Sequence, residues 1–389
     1  MSIREAALKS EAFRALKEAY DDKQKAVKKW KACGKKAVFM LGDDIPEELI
    51  IAAGMLPVRL TGWYGGERVN ADKYLERSFG PIWRGVFEAV VNGSLKDEMD
   101  FLVTQNSSDM ILKIFYYLRE MKRAYKDITL PPLEFVDLII TDKIMRAQEQ
   151  DVEEFKDLRA TLEEWSGSKI TDEAIREAGA QCNAFRAAIR EFSALRYGES
   201  SRVTGSEALT AITGAMYMDK ADGTALLKKL AEDAASWPVV DAARVYYTGS
   251  LNETADVYEL IEEAGGNVVS EDKFLGDRYA SRDMRMDINP IRALVDMVLY
   301  RFPSSERGTV KERAKVVPER MTEVGAQALL VYMHFNDESY IWDFPKQKIQ
   351  LDAMGLPSIV VEKQNIPIVE PEALKARLAD FFKTVKGGK

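Results

Sequence analysis

The sequence predicts an α/β protein made of two Rossmann- or flavodoxin-like parallel-sheet domains with a helical insert between them. Three observations predict it. Short apolar runs, such as Ala37-Val38-Phe39-Met40-Leu41 and Phe101-Leu102-Val103, read as strands covered on both faces, the habit of parallel sheets. Each run is followed by a polar turn and a helix-spaced segment, the βαβ alternation. Between residues 143 and 236 no strand is legible and helical spacing takes over.

Residues 2–32 read as one long polar helix with apolar punctuation at Ala6, Leu8, Phe13, Leu16 and Tyr20, stopped by Gly34. The strand 37–41 follows. Pro46-Glu47-Glu48 opens a helix, because proline fits the first turn and carboxylates suit the positive end of the dipole. Ala53-Gly54 ends it, and 56–60 is extended. A helix over 79–91 stops at Asn92-Gly93. The strand 101–103 runs into the polar turn 104–109, then a helix over 110–123 and a strand over 134–140. Right-handed crossovers put such turns at the carboxyl edge of the sheet, where open α/β sheets bind ligands. Helical spacing covers 148–165, 171–197, 205–218 and 223–235, and Trp237-Pro238 breaks the run. A second series has strands at 244–250, 267–269, 326–332 and 359–361. Its helices include 253–264, stopped by Gly265-Gly266, one between the last two strands, and 372–385. The expected organisation is an N-terminal helical arm (1–33), a first α/β domain (34–142), a helical region (143–236) and a second α/β domain (237–389).

Composition excludes several classes. A chain of 389 residues, 46% hydrophobic and 30% charged, is an ordinary globular chain of two or three domains. Its net charge of −8 and lack of a basic face give no grip on nucleic acid. There is no apolar run of membrane-spanning length and no secretory leader, so a cytoplasmic protein is expected. Two cysteines, Cys33 and Cys182, and one histidine, His334, are too few for a disulfide framework or a multi-histidine metal site.

Four turns could carry chemistry. Asp43, Asp44, Glu47 and Glu48 lie within six residues and suit acid–base work or cation binding; equally, Asp44 caps a helix and the glutamates feed its dipole. Asn106-Ser107-Ser108-Asp109 precedes a helix whose N–H groups suit a phosphate or carboxylate, and Ser108 or Asp109 also suits an N-cap. His334-Phe335-Asn336-Asp337-Glu338 follows an apolar strand, where a lone histidine is either a catalyst or a hydrogen-bonded core residue. The turn 248–253 suits an anion but lacks G-x-G-x-x-G spacing. No Walker A sequence, G-x-S-x-G elbow or CxxC pair is present.

Three longer stretches are more specific. Pro46-Glu47-Glu48-Leu49-Ile50-Ile51-Ala52-Ala53-Gly54-Met55-Leu56-Pro57-Val58-Arg59 matches P-E-E-L-I-x-A-A-G-x-x-P-x-R. Gly265-Gly266-Asn267-Val268-Val269-Ser270-Glu271-Asp272, then Gly276 and Arg278, matches G-G-x-V-V-x-E-D followed by G-x-R. The stretch from Val331 through Asp337 to Pro345, then Gly355-Leu356-Pro357 and Ile359-Val360-Val361-Glu362, is the third. In order and spacing, from about residue 35 to 385, the chain resembles the benzoyl-CoA reductase / 2-hydroxyacyl-CoA dehydratase family, including the 2-hydroxyglutaryl-CoA dehydratase D-component.

The resemblance implies a hetero-oligomer of two homologous subunits, each commonly holding a 4Fe–4S cluster through three cysteines. It also implies a separate ATP-hydrolysing iron–sulfur activator that donates electrons at low potential. The substrate would be an acyl-CoA thioester, reduced by one electron on the way to dehydration or ring reduction. This sequence departs from the pattern: the positions of the three ligands are Gly80, Ser108 and Asn336. None of these offers a thiolate. The expectation is that this chain alone binds no cluster and no other metal, and that a homologous partner carries the 4Fe–4S centre. Such a chain shapes an acyl-CoA pocket, serves only as scaffold, or binds an unrelated small molecule. The pocket candidates are Asp43, Asp44, Glu47, Asn106, Ser107, His334 and Asp337. Ser107-Ser108-Asp109, Tyr116-Tyr117-Leu118-Arg119-Glu120 and Leu130-Pro131-Pro132 resemble the aryl-CoA reductase branch more than the dehydratases. The aromatic residues Trp63, Tyr64, Trp83, Phe335, Tyr340 and Trp342 suit a flat acyl group, and equally suit core packing.

Overall fold

The computed structural model describes residues 3–60, 66–139, 145–304, 308–335, 337 and 340–387. In chain order the elements are α1 (Glu5–Lys9), α2 (Glu11–Asp21), α3 (Gln24–Ala32), β1 (Ala37–Leu41), α4 (Glu47–Ala52), β2 (Leu56–Arg59), α5 (Val69–Tyr74), α6 (Pro81–Val91), β3 (Phe101–Gln105), α7 (Asp109–Ala124) and β4 (Leu133–Val136). Then come α8 (Met145–Ser166), α9 (Asp172–Ala194), α10 (Gly205–Met216), α11 (Lys220–Ala234), β5 (Ala243–Gly249), α12 (Asp256–Glu263), β6 (Gly266–Glu271), α13 (Pro290–Leu299), α14 (Val310–Val324), β7 (Ala328–His334), α15 (Phe344–Ala353), β8 (Ser358–Gln364) and α16 (Pro371–Gly387). The two α/β halves expected from sequence are present, each with a four-stranded parallel sheet.

The long helix expected over 2–32 is three helices. Ser10 starts α2 by accepting a hydrogen bond from Phe13 N at 3.2 Å, and its hydroxyl also donates to Asp233 at 2.8 Å. Asp22 closes α2 before α3 begins. The helices α5, α13 and α14 lie where no element was read from sequence. Pro318 inside α14 disguises that helix, which is nevertheless closed at its start by a Thr309/Glu312 capping box.

Contacts divide the chain into two compact units that cut across the four expected segments. The first unit is Lys23–Asn183 with Asp283–Tyr300. The second is Met1–Asp22, Ala184–Arg282 and Arg301–Lys389. Of residues 143–236, α8 and the start of α9 fall in the first unit, α10 and α11 in the second.

In the first unit the strand order is β2-β1-β3-β4. Successive strand side chains face opposite ways, and both faces are covered. Val38, Met40, Phe101 and Val103 pack with Leu49, Phe155, Leu158, Leu294 and Val298. Phe39, Leu41, Val58 and Leu102 pack with Phe87, Val90, Ile114 and Leu118. The second unit repeats the arrangement with order β6-β5-β7-β8. Val245, Tyr247, Leu330 and Tyr332 face α2, α10 and α16, while Tyr246, Val269, Leu329 and Val331 face α14.

Each sheet thus reverses direction between its first and third strands, β1/β3 and β5/β7, the switch point where such sheets receive ligands. Both switch points are closed by a glycine. Gly42 has φ +140° and a Cβ there would lie 2.9 Å from Gln105 Cβ. Gly249 has φ +122° and a Cβ there would lie 1.9 Å from the Tyr332 carbonyl oxygen. The close approach of the Gln105 and Ser107 side chains at Gly42, and of the Tyr332 backbone at Gly249, excludes a side chain at these positions.

Candidate functional site

The carboxyl edge of the first sheet gathers five of the residues singled out from sequence. Asp43 N donates to Ser107 Oγ at 2.8 Å, and that hydroxyl hydrogen-bonds Gln105 Oε1. Gln105 Nε2 donates to Asn106 Oδ1 at 2.9 Å. The Asn106 amide donates to Asp137 Oδ1 at 2.6 Å and to Leu138 O at 3.0 Å, while its Oδ1 also accepts from Leu138 N at 3.1 Å. Ser107 and Asn106 are therefore fasteners: one joins β1 to β3, the other joins β3 to the segment after β4. The N–H groups of Asn106 and Ser107 already donate to Val136 O and Gln105 O, and Ser108 serves as the N-cap of α7, the alternative offered for this turn.

Arg59, the last residue of the first signature, explains the nearby carboxylates. Its Nη1 donates to Gly42 O at 2.7 Å and lies 4.0 Å from Asp43 Oδ1; its Nη2 lies 3.9 Å from Glu47 Oε1. Arg59 thus stands between Asp43 and Glu47, a positive group facing two acidic side chains. Asp44 is buried, but it does not cap α4: Pro46 occupies the cap, and no side chain closes it. Among the described residues no three His, Cys, Asp or Glu side chains are arranged to hold a metal ion, so the cation-binding option for this turn finds no geometry.

At the edge of the second sheet, His334 ends β7 and is buried. Its protonation state follows from its neighbours. Tyr247 OH donates to Ser250 O at 3.0 Å and accepts from Asn252 Nδ2. That fixes the Asn252 amide with Oδ1 toward His334 Nε2, 3.1 Å away. Nε2 therefore carries the proton and Nδ1 keeps its lone pair. Burial lowers the imidazole pKa from 6.5 to about 4, against the opposite pull of Asp337, so the ring is neutral near pH 7. Ser250 Oγ accepts from His334 N at 2.9 Å and donates to Asp337 Oδ2, tying the loops after β5 and β7 together. Asn336 lies outside the described residues, as do Trp63 and Tyr64. Phe335 and Trp342 are exposed, whereas Tyr340 is buried and Trp83 packs against the first unit's core.

The second signature proves largely structural. Glu271 at the end of β6 receives two bonds from Arg196, at 2.7 and 3.2 Å, and Arg196 also reaches Asp277 at 3.1 Å. Asp277 accepts from Tyr197 OH at 3.1 Å and from Ser270 Oγ, and Arg320 approaches it at 3.5 Å. Desolvation raises the Glu271 pKa against the pull of Arg196. Asp272, the last residue of the motif's E-D pair, and Lys273, which follows it, are not among the pocket candidates. Thr248 Oγ1 donates to Asp272 Oδ2 at 2.7 Å, so that this pair stands at the same edge as His334. Adjacency to the E-D pair was the only available signal.

Two of the three positions that the resemblance sets against cluster ligands are among the described residues, and both are helix caps. Gly80 is the side-chain-free N-cap of α6, and Ser108 caps α7 by accepting from Ile111 N at 3.3 Å. Cys33 is exposed and Cys182 is buried in α9; neither neighbours those positions in sequence. A separate depression of about 720 Å³, lined by Arg4, Lys9, Trp237, Val239 and Asp241 among others, includes none of the candidate residues. Among the described residues no helix is long and apolar enough to cross a membrane.

Comparison with known proteins supports the resemblance. The family described as 2-hydroxyglutaryl-CoA dehydratase, D-component, matches residues 44–385. The chain is 26% identical to the (R)-2-hydroxyglutaryl-CoA dehydratase subunit beta of Acidaminococcus fermentans, over 86% of this chain and 88% of that one. It is 25% identical to the (R)-phenyllactyl-CoA dehydratase beta subunit of Clostridium sporogenes, over 90% and 92%. It is 24% identical to a benzoyl-CoA reductase subunit of Thauera aromatica, over 69% and 70%.

Proposed function

Because this chain belongs to the 2-hydroxyglutaryl-CoA dehydratase D-component family, we propose that it is the cluster-free subunit of a hetero-oligomeric acyl-CoA enzyme. In this reading a homologous partner holds the 4Fe–4S centre, and an ATP-hydrolysing iron–sulfur protein supplies its electrons. One observation carries the proposal: two positions that the resemblance sets against cluster ligands are a bare helix cap at Gly80 and a capping hydroxyl at Ser108. Iron–sulfur clusters are held by thiolates.

The two sheet edges are the surfaces we assign to substrate. On the second, His334 offers a neutral ring with an unprotonated Nδ1, able to accept a hydrogen bond. Asp337, held by Ser250, gives that edge its negative charge. On the first, Asp43 and Glu47 flank Arg59. Dehydration of a 2-hydroxyacyl-CoA is the reaction we favour, since the two dehydratase relatives are matched over more of their length than the reductase subunit. The second reading is dearomatising reduction of an aryl-CoA, as in a benzoyl-CoA reductase; the exposed rings of Phe335, next to His334 in the chain, and Trp342 favour it.

Anoxic purification of this chain with its co-expressed partner tests the proposal. Iron and sulfide are expected with the partner, and no stoichiometric iron on this chain purified by itself. Stoichiometric iron on the isolated chain overturns the cluster-free reading. Turnover of a 2-hydroxyacyl-CoA against benzoyl-CoA, with a low-potential reductant, separates the two reactions. Unchanged turnover of both by an intact complex carrying His334→Gln would remove His334 from the pocket.

A further inference from the structure

The second sheet's edge contains a further buried cation. Lys273 directly follows the Glu271-Asp272 pair and is only 5% exposed. Its Nζ lies 3.2 Å from Asp272 Oδ1, yet neither atom makes a hydrogen bond among the described residues. The Tyr340 ring covers the ammonium on one side, with 4.0 Å from Nζ to the ring centroid. Asp272 is held by its other oxygen, which accepts from Thr248 Oγ1 at the end of β5. An ammonium has three donors, and burying them without an acceptor is strongly unfavourable. The same unit contains a closed alternative: two residues earlier, Glu271 is matched by two bonds from Arg196. Lys273, by contrast, is desolvated and charge-balanced but open in its hydrogen bonding, and it stands at the edge where sheets of this kind receive ligands.

We infer that Lys273 is an oxyanion-binding residue, whose ammonium donates to a negatively charged or carbonyl oxygen of a ligand entering at the carboxyl edge of the second sheet. Asp272 keeps the site neutral when empty, and Tyr340 restricts the approach. The inference rests on the acyl-CoA reading for the identity of the ligand, not for the existence of the site. Such a ligand has two sources of oxygen: its thioester carbonyl and the phosphates of coenzyme A.

The experiment is calorimetric titration of the chain, co-purified with its partner, with lactoyl-CoA, free coenzyme A and pyrophosphate. Lys273→Met is expected to weaken binding about ten- to a hundredfold, as loss of a charge-assisted hydrogen bond does. Lys273→Arg is expected to recover most of it. Loss confined to lactoyl-CoA assigns the thioester oxygen; parallel loss for all three assigns a phosphate. The double change Asp272→Asn/Lys273→Met removes both charges and carries the test if the single variant does not fold. Wild-type affinity for all three probes in either variant overturns the inference. Wild-type binding of pyrophosphate alone, dependent on Lys273, keeps the site and rejects the acyl-CoA reading. No binding of any probe by the wild type rejects both.

Discussion

Burial turns two ionisable side chains of the second unit in opposite directions. His334 falls to about 4 because its charged form is desolvated, with Asp337 opposing the shift. The unfolded chain therefore takes up the proton first: the stabilising contribution is complete above pH 6.5 and is lost as pH falls toward 4. His334→Gln is expected to flatten that acid limb by on the order of 1–3 kcal/mol, read as urea denaturation at pH 7 and pH 4.5. Equal acid loss in both proteins would contradict the assignment. Glu262 rises to about 7, again through burial, although Ser206 N and Oγ donate to it at 2.7 and 2.8 Å. Its sign is reversed. Stability is complete below the ordinary glutamate value and is lost as pH rises through about 7. Glu262→Gln is expected to raise stability at pH 8 by on the order of 1–2 kcal/mol and to leave it nearly unchanged at pH 4.5, as thermal melts would reveal. At this scale the sequence offered identities without states. His334 and Asp337 were legible as candidates, whereas the Nε2 proton depends on Asn252 and Tyr247, residues at least 82 positions away.

Elements are joined by contacts of two kinds, with different tolerance. Arg196, just past α9, clamps the end of β6 through Glu271 and the following loop through Asp277. Its removal leaves two carboxylates buried without their main partner. Arg196→Met is expected to cost about 3–5 kcal/mol by chemical denaturation; a loss below about 1 kcal/mol would mark the network as dispensable. The glycines give the second contrast. Gly249→Ala combines φ +122° with a 1.9 Å overlap on the Tyr332 carbonyl oxygen and should abolish cooperative folding of the unit. At Gly80 a Cβ meets nothing within 4 Å, so Gly80→Ala should cost only about 0.5–1 kcal/mol, the N-cap preference for glycine over alanine. Melting curves of the two variants side by side test the pair. Strands and most helices were legible because their periodicity is local. The break at Ser10 was missed since apolar spacing continues through it, and α14 was missed because Pro318 reads as a breaker.

For the whole molecule, the division into discontinuous units has a practical consequence. The expected first domain, 34–142, omits α8 and α13, which supply Phe155, Leu158, Leu162, Leu294 and Val298 to one face of its sheet. Expressed alone, 34–142 should show no cooperative unfolding. A chain joining 23–183 to 283–300 through a short linker should show it, because both faces of the sheet are then covered. Circular dichroism during denaturation distinguishes these outcomes, and a cooperative transition for 34–142 would refute the division. Sequence could not reveal it. Segments far apart in the chain complete one core, and hydrophobic spacing says that a helix has an apolar face but not which sheet it covers.

The amino-acid order alone settled the α/β class, the succession of strands and the family signatures, because each is written in neighbouring residues. Tertiary structure alone decided which groups share an edge. It brought Ser250 to Asp337 across 87 positions and Thr248 to Asp272 across 24, left the buried Lys273 ammonium beside Asp272 with no hydrogen bond among the described residues, and set Arg59 among the carboxylates after β1. Proton positions and charge pairing depend on distances through space, and distances through space are fixed only once the chain has folded.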